Sequence, residues 1–291
     1  MNSRGRGRGD VMSETTRRVV LKLAGGATLL AFAGAGSGRA ALAQEALAQE
    51  ALAQEASPVA SPAGGIGLNG NSVVIRIRTV KPDRSADALM ALIQDGFVPL
   101  VEDVPGFIWY VAGADPETRG QFSVGVFADE AGAAESNRRA AAWGELGAAE
   151  FVAGEPTVYD GEIGVAASGS PESPGAAMTG SPEALTPTGG LVGKYALIRL
   201  RQPNPDWPVE KVLALIGEGY VPLVREIPGF VLYFGSADPV SGGQAYVGVF
   251  ADKAGADEST RVARAWLTEN AYTFFAGDPT VAEGVIGAAA V

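Results

Sequence analysis

From Val73 to Thr79 apolar and polar residues alternate, with Val73, Ile75 and Ile77 on one side of the chain and Arg76 and Arg78 on the other. A period of two is the pattern of a strand, and the same pattern returns from Ala196 to Arg201. A helix is expected from about Ser85 to Gln94, with Leu89, Leu92, Ile93 and Phe97 along one stripe. Pro208 matches Ser85 and suits a first helical turn, while Gly96 and Gly219 sit where a C-cap glycine belongs. Pro105-Gly106 turns the chain into a second strand, Phe107–Val111, and Asp115-Pro116 turns it into a third, Gln121–Phe127, giving an antiparallel hairpin. A second helix runs to about Leu146, with Asp129 at its N-cap and Gly132, Ser136, Ala140 and Trp143 on its inner face. A last strand is expected near Ile163.

These elements occur twice. Val124-Gly125-Val126-Phe127-Ala128-Asp129 recurs 123 residues later as Val247-Gly248-Val249-Phe250-Ala251-Asp252. Residues 73–167 align without a gap on 196–290, with 49 identities in 95 positions, so one unit is written twice. The stretch 168–194, rich in Ser, Pro, Gly and Thr, reads as a linker between the repeats 73–167 and 195–291. Each repeat has the order βαββαβ, the split-βαβ or ferredoxin-like pattern. A sheet with helices on one face needs a cover on the other. The expected α+β fold is therefore two tandem βαββαβ repeats packed sheet against sheet as an intrachain, pseudo-dimeric barrel.

The first 43 residues change the picture of destination. Thr16-Arg17-Arg18-Val19-Val20-Leu21-Lys22 precedes an uncharged run from Leu23 to Gly38 and the A-x-A pattern Ala41-Leu42-Ala43. Arg17 and Arg18 mark this as a twin-arginine export signal, cut after Ala43, with Ala48 and Ala53 as further options. Met12 is an alternative start. The expected location is extracytoplasmic, in the cell envelope or secreted. Residues 44–72 contain copies of Ala-Leu-Ala-Gln-Glu and then a Ser/Pro/Ala/Gly-rich tether. From Gln44 onward, 15 basic residues face 31 acidic ones. So acidic a body disfavours nucleic acid and anionic membrane as partners.

The chain has no Cys and no His. Disulfides, thiolate metal sites and histidine chemistry are excluded, and no metal or cofactor is expected. Arg76, Arg78, Arg199 and Arg201 are the candidate ligand-binding cations. With the isoleucines beneath the helices, the arginines are expected at the barrel face or its mouth, four guanidinium groups near one cavity. Alternatively they pair with Asp95 and Glu218, or Glu155 and Asp278, and stitch the sheets. Tyr110 and Tyr233, the tyrosines shared by both repeats, are expected either to line a cavity or to pack in the core. Trp109, opposite Leu232 in the alignment, is expected to face solvent or a ligand. Asp129 and Asp252 read as caps rather than an acid/base pair.

The Val-Gly-Val-Phe-Ala-Asp motif, the following Ala131-Gly132-Ala133-Ala134-Glu135-Ser136 and Pro105-Gly106-Phe107 resemble the antibiotic-biosynthesis-monooxygenase-like family of dimeric α+β barrels. The resemblance covers both repeats. It implies a barrel built within one chain. It also implies one of several roles, because that family contains cofactor-free oxygenases of polycyclic aromatic substrates, haem-degrading enzymes and members without known activity. The haem-degrading members use an Asn/Trp/His set. Trp143 and Trp266 match its Trp, but Asn137 becomes Thr260 in the second repeat and no His exists, so haem degradation is set aside. Two functions stay open: a small-molecule-binding or structural barrel without catalysis, and a cofactor-independent oxygenase-like enzyme on an apolar or aromatic substrate.

Overall fold

The computed structural model describes residues 68–169, 190–270 and 272–291. The expected export signal, the Ala-Leu-Ala-Gln-Glu copies and most of the expected tether and linker lie outside the described residues. The first half runs β1 (Ser72–Val80), α1 (Ala86–Leu92), α2 (Val98–Glu102), β2 (Phe107–Ala114), β3 (Gly120–Phe127), α3 (Glu130–Leu146) and β4 (Val152–Ser168). The second runs β5 (Tyr195–Pro203), α4 (Val209–Leu215), α5 (Val221–Arg225), β6 (Phe230–Ala237), β7 (Gln244–Phe250), α6 (Lys253–Glu269) and β8 (Phe275–Ala290).

The eight antiparallel strands close into a barrel in the order β1-β3-β2-β8-β5-β7-β6-β4. The halves are joined edge to edge, and the inner faces of their sheets meet in one core. β4 pairs with β1 as far as Glu162 and then with β6 as far as Ser168. β8 pairs with β5 up to Val285 and then with β2 up to Ala290. Each long final strand thus leaves its own sheet to complete the other half's. Glycines stand where it crosses. Gly284 has φ +151°, and a Cβ there would lie 2.3 Å from the Ala114 carbonyl carbon. A Cβ on Gly161 would lie 2.9 Å from the Ala237 carbonyl oxygen.

Side chains fill the barrel: Ile75, Phe122 and Val124 from one half, Ile198, Phe234 and Val247 from the other, all fully buried. Trp109 is among them, its ring 6.1 Å from that of Phe234. It faces neither solvent nor a ligand cleft, contrary to the sequence expectation. The orientation of the first strand is also the reverse of that expected. Val73, Ile75 and Ile77 point into the barrel, whereas Val74, Arg76 and Arg78 lie under the helices. Both faces of these strands are covered, so alternation alone does not say which face is inside. The closed interior takes compact β-branched chains, and the longer arginines take the helix side, where polar groups are within reach.

The helical layer shows one further departure. Between α1 and α2, Ile93–Phe97 form a π-helical turn, with the Val98 N–H bonded to the Ile93 carbonyl, five residues back. Pro99, which has no N–H, follows in the first turn of α2, so the helix widens and continues instead of ending. Pro222 does the same after Ile216–Tyr220. Gly96 and Gly219 therefore lie inside a helical turn and are not C-caps. Their bare Cα atoms admit tryptophans: a Cβ would lie 3.0 Å from Trp143 Nε1 and 2.8 Å from Trp266 Nε1.

Candidate functional site: two clefts between sheet and helices

The candidate residues form two separate sets, one per half, on the outer face of the barrel. Strand register places them. Arg76 lies beside Ser123 and Arg78 beside Gln121, while Arg199 lies beside Tyr246 and Arg201 beside Gln244. Tyr110 and Tyr233 come in from the next strands, and Trp143 and Trp266 close each set from the long helix. Arg76, Arg78 and Tyr110 are thus brought together, as are Arg199, Arg201 and Tyr233. The four arginines do not share one cavity, because the barrel core separates them.

The proposed ion-pair partners are not engaged. Among the described residues, no carboxylate lies within the 4 Å ion-pair limit of any of the four arginines. Arg76 donates through Nη2 to Ser136 Oγ (3.3 Å) and Asn137 Oδ1 (2.7 Å). Arg199 donates through Nη2 to Thr260 Oγ1 at 2.6 Å. Arg201 rests over the Phe275 ring at 4.8 Å. Burial lowers the pKa of all four guanidinium groups, with nearby tyrosines and more distant acids such as Asp160 and Glu155 pulling the other way in part. Burial also pushes the Tyr110 hydroxyl up to about 12, against the pull of Arg76, and raises that of Tyr233 well above its ordinary value. Both tyrosines are neutral hydrogen-bond donors at neutral pH and cannot serve as bases there.

The two sets differ in volume. The first-half cavity holds about 30 Å³ and the second-half cleft about 600 Å³. Asn137 accounts for the closure. It accepts from Arg76 and donates through Nδ2 to Asp160 Oδ1 on β4 at 2.7 Å, tying α3 to the sheet across the opening. At the matching position Thr260 is too short to cross. It accepts from Arg199 and turns its own proton to the Ala256 carbonyl at 3.1 Å. The gap between α6 and β8 stays open, rimmed by Asp257, Arg264, Asp278 and Glu283. Its deep end carries Arg199, Tyr220, Tyr233 and Tyr246.

Two of these deep hydroxyls are already engaged. Tyr220 Oη lies 2.8 Å from Ser259 Oγ, and the Tyr246 hydroxyl bonds to Gln244 Oε1. Tyr233 is 4% exposed, and its hydroxyl has no hydrogen-bond partner among the described residues. Sequence reasoning missed Thr260, Tyr220, Tyr246 and Trp266 as members of the site. The signal that finds three of them is divergence between the repeats beside shared residues: Asn137 against Thr260, Phe97 against Tyr220 and Ser123 against Tyr246.

No protein-family model and no curated protein matches the chain. Solved structures do. One is a candidate monooxygenase of Fusobacterium nucleatum, at 13% identity and a TM-score of 0.54, covering 76% of this chain and 94% of that one. A second candidate monooxygenase, from Lactobacillus acidophilus, matches at 12% identity and a TM-score of 0.51, over 77% and 97%. An anthrone oxidase-like protein matches at 10% identity and a TM-score of 0.50, over 76% and 93%. At these identities the likeness is one of fold: this chain has the α+β barrel architecture of monooxygenase-like proteins.

Proposed function

We propose that this protein is an exported, tandemly duplicated α+β barrel that binds a small molecule in its second half, without established catalysis. The observation that carries the reading is the open cleft of about 600 Å³. At its end stand the Tyr233 hydroxyl, which bonds to no other described residue, and two guanidinium groups with no carboxylate within 4 Å. Such a site suits a ligand with an apolar or aromatic body and an anionic or strongly accepting end. Tyr220, Tyr233 and Trp266 supply the aromatic wall, with the Tyr220 ring centre 5.3 Å from Tyr233 and 5.9 Å from Trp266. Export rests on Arg17, Arg18 and the Ala43 cleavage pattern, and duplication on the aligned halves.

A cofactor-independent oxygenase-like activity on an aromatic substrate is the second reading. The aromatic wall favours it, as does the anthrone oxidase-like protein among the structural neighbours. The raised tyrosines can hold a carbonyl or phenol by donating to it, but the substrate's own acidity has to supply the anion that meets oxygen.

The test is a thermal-shift screen of the mature chain against aromatic carboxylates, polycyclic phenols and lipid-like acids, with oxygen uptake followed for every hit. Ligands of this kind are expected to raise Tm. Thr260→Asn, which installs the first half's strap, and Arg199→Met are each expected to weaken binding at least about tenfold, the cost of one charge-assisted hydrogen bond. Hits unaffected by both variants would place the site elsewhere. Oxygen uptake that depends on Tyr233 selects the oxygenase reading.

A further inference from the structure

The first-half cavity is too small for an organic ligand, yet its polar walls are not satisfied. Arg76 is 5% exposed, and its Nη1 has no hydrogen-bond partner. Arg78 Nε is buried and equally unpartnered. Both residues wall the same space of about 30 Å³, together with Tyr110, Gln121 and Ser123. A buried cation without a counter-charge is costly, and two sharing one space repel each other as well. Relief comes only at a distance, from Asp160, bonded to Arg76 through Asn137, and from Glu155 near Arg78. The volume exceeds the roughly 10–15 Å³ that a cavity needs to hold one water, so a sphere of water size or slightly larger fits. Two positively charged guanidinium groups in one space, beside Tyr110, Gln121 and Ser123 and against Leu89, Ile93, Phe97 and Trp143, favour an anion over a neutral molecule.

We propose that the first half holds one buried monovalent halide, chloride under ordinary conditions, between Arg76 and Arg78. Asn137, bonded to Arg76 and to Asp160, stands beside it. The site is separate from the second-half cleft: there the arginines face an open volume twenty times larger, where water or an organic anion can reach them. The two halves therefore use the same arginine pair differently, one around a small permanent counter-ion and the other around an exchangeable ligand.

Crystals grown in bromide, with anomalous scattering collected at the bromine edge, test this directly. A bromide peak within hydrogen-bonding distance of Arg76 Nη1 and Arg78 Nε is expected. In solution, chloride and bromide at about ten times Kd are expected to raise Tm by roughly 3–6 °C relative to acetate at matched ionic strength. Arg78→Met should abolish that difference, and Arg201→Met in the other half should keep it. Ordered water alone in the cavity overturns the proposal, as does an equal halide effect in Arg78→Met. If Arg78→Met does not fold, the wild-type bromide map decides alone.

Discussion

Tyr233 and Tyr220 stand side by side at the end of one cleft, and their hydroxyls separate a binding role from a packing role. Tyr220 Oη is bonded to Ser259, so Tyr220→Phe is expected to cost about 1 kcal/mol in urea unfolding. Tyr233 has no internal partner to lose. Tyr233→Phe is therefore expected to change stability by less than about 0.5 kcal/mol while weakening any ligand that accepts from its hydroxyl. A large stability loss in Tyr233→Phe would mean that the hydroxyl is spent on the fold. At this scale the sequence was legible in part. The arginine and tyrosine pairs stand out because both repeats keep them, and they do meet in space. Which face they share was not legible, because Ile75 and Arg76 are both buried and alternation looks the same from either side. Nor did identity between repeats reveal that Asn137 closes one cleft and Thr260 leaves the other open, a difference of reach.

The repeated motif is a device for joining a strand to a helix. Val124 and Val126 point into the barrel, and Phe127 packs under the helices. Gly125 has no side chain because a Cβ there would lie 3.0 Å from the Phe127 ring. The Ala128 N–H bonds to the Gly106 carbonyl at 2.7 Å, fixing the turn beside it. Asp129 then accepts from the Gly132 N–H at 2.9 Å as the N-cap of α3. Gly132 lets the helix start against the Pro105 carbonyl, which a Cβ would approach to 2.7 Å. Cap and turn were readable because each is a local requirement, and Gly132 because a helix needs small residues to lie close to a sheet. Asp129→Ala is expected to cost about 1 kcal/mol, and Asp252→Ala, whose bond to Gly255 is 3.2 Å, no more than that. On the exposed side of α3, hydrogen bonds from Arg138 and Arg139 pull the Glu135 carboxyl down to about 2. A depressed folded pKa stabilises above the ordinary value and loses that contribution as pH falls through the folded one. The stability difference between the protein and Glu135→Gln should therefore shrink as pH is lowered from about 4.5 towards 2. It should also shrink in added salt. A difference that does not move with pH would detach Glu135 from the helix's stability.

At the scale of the molecule, the two halves differ inside the barrel as well as in their outer clefts. Trp109, Phe122 and Tyr159 project into the barrel from the first half, where the second has Leu232, Ala245 and Ala282. In return Phe234 and Ser236 stand where the first half has Val111 and Gly113. Tyr159 on β4 reaches along its own strand to bond Ser236 Oγ on the neighbouring β6 at 3.1 Å, a contact that needs one residue from each half. The closed barrel could be anticipated from the βαββαβ order, because each half leaves β2 and the end of its last strand without partners. This complementary filling could not, since it depends on which residues meet across the axis. Two first halves paired with each other would bring two copies of Trp109 and of Phe122 into a space shaped for one, at about 1–3 kcal/mol for each excess. Two second halves would leave Leu232 and Ala245 facing voids. Segments 68–169 and 190–291 expressed together are accordingly expected to assemble as a one-to-one heterodimer, with β4 on β6 and β2 on β8. Light scattering should give one copy of each, and hydrogen exchange should protect Ile163–Ser168 and Val285–Ala290. Each segment alone should associate with itself more weakly, because its unpaired strand edges still demand a partner. Two segments that fold as stable monomers, or as homodimers that never exchange, would show that the inner residues do not choose the pairing.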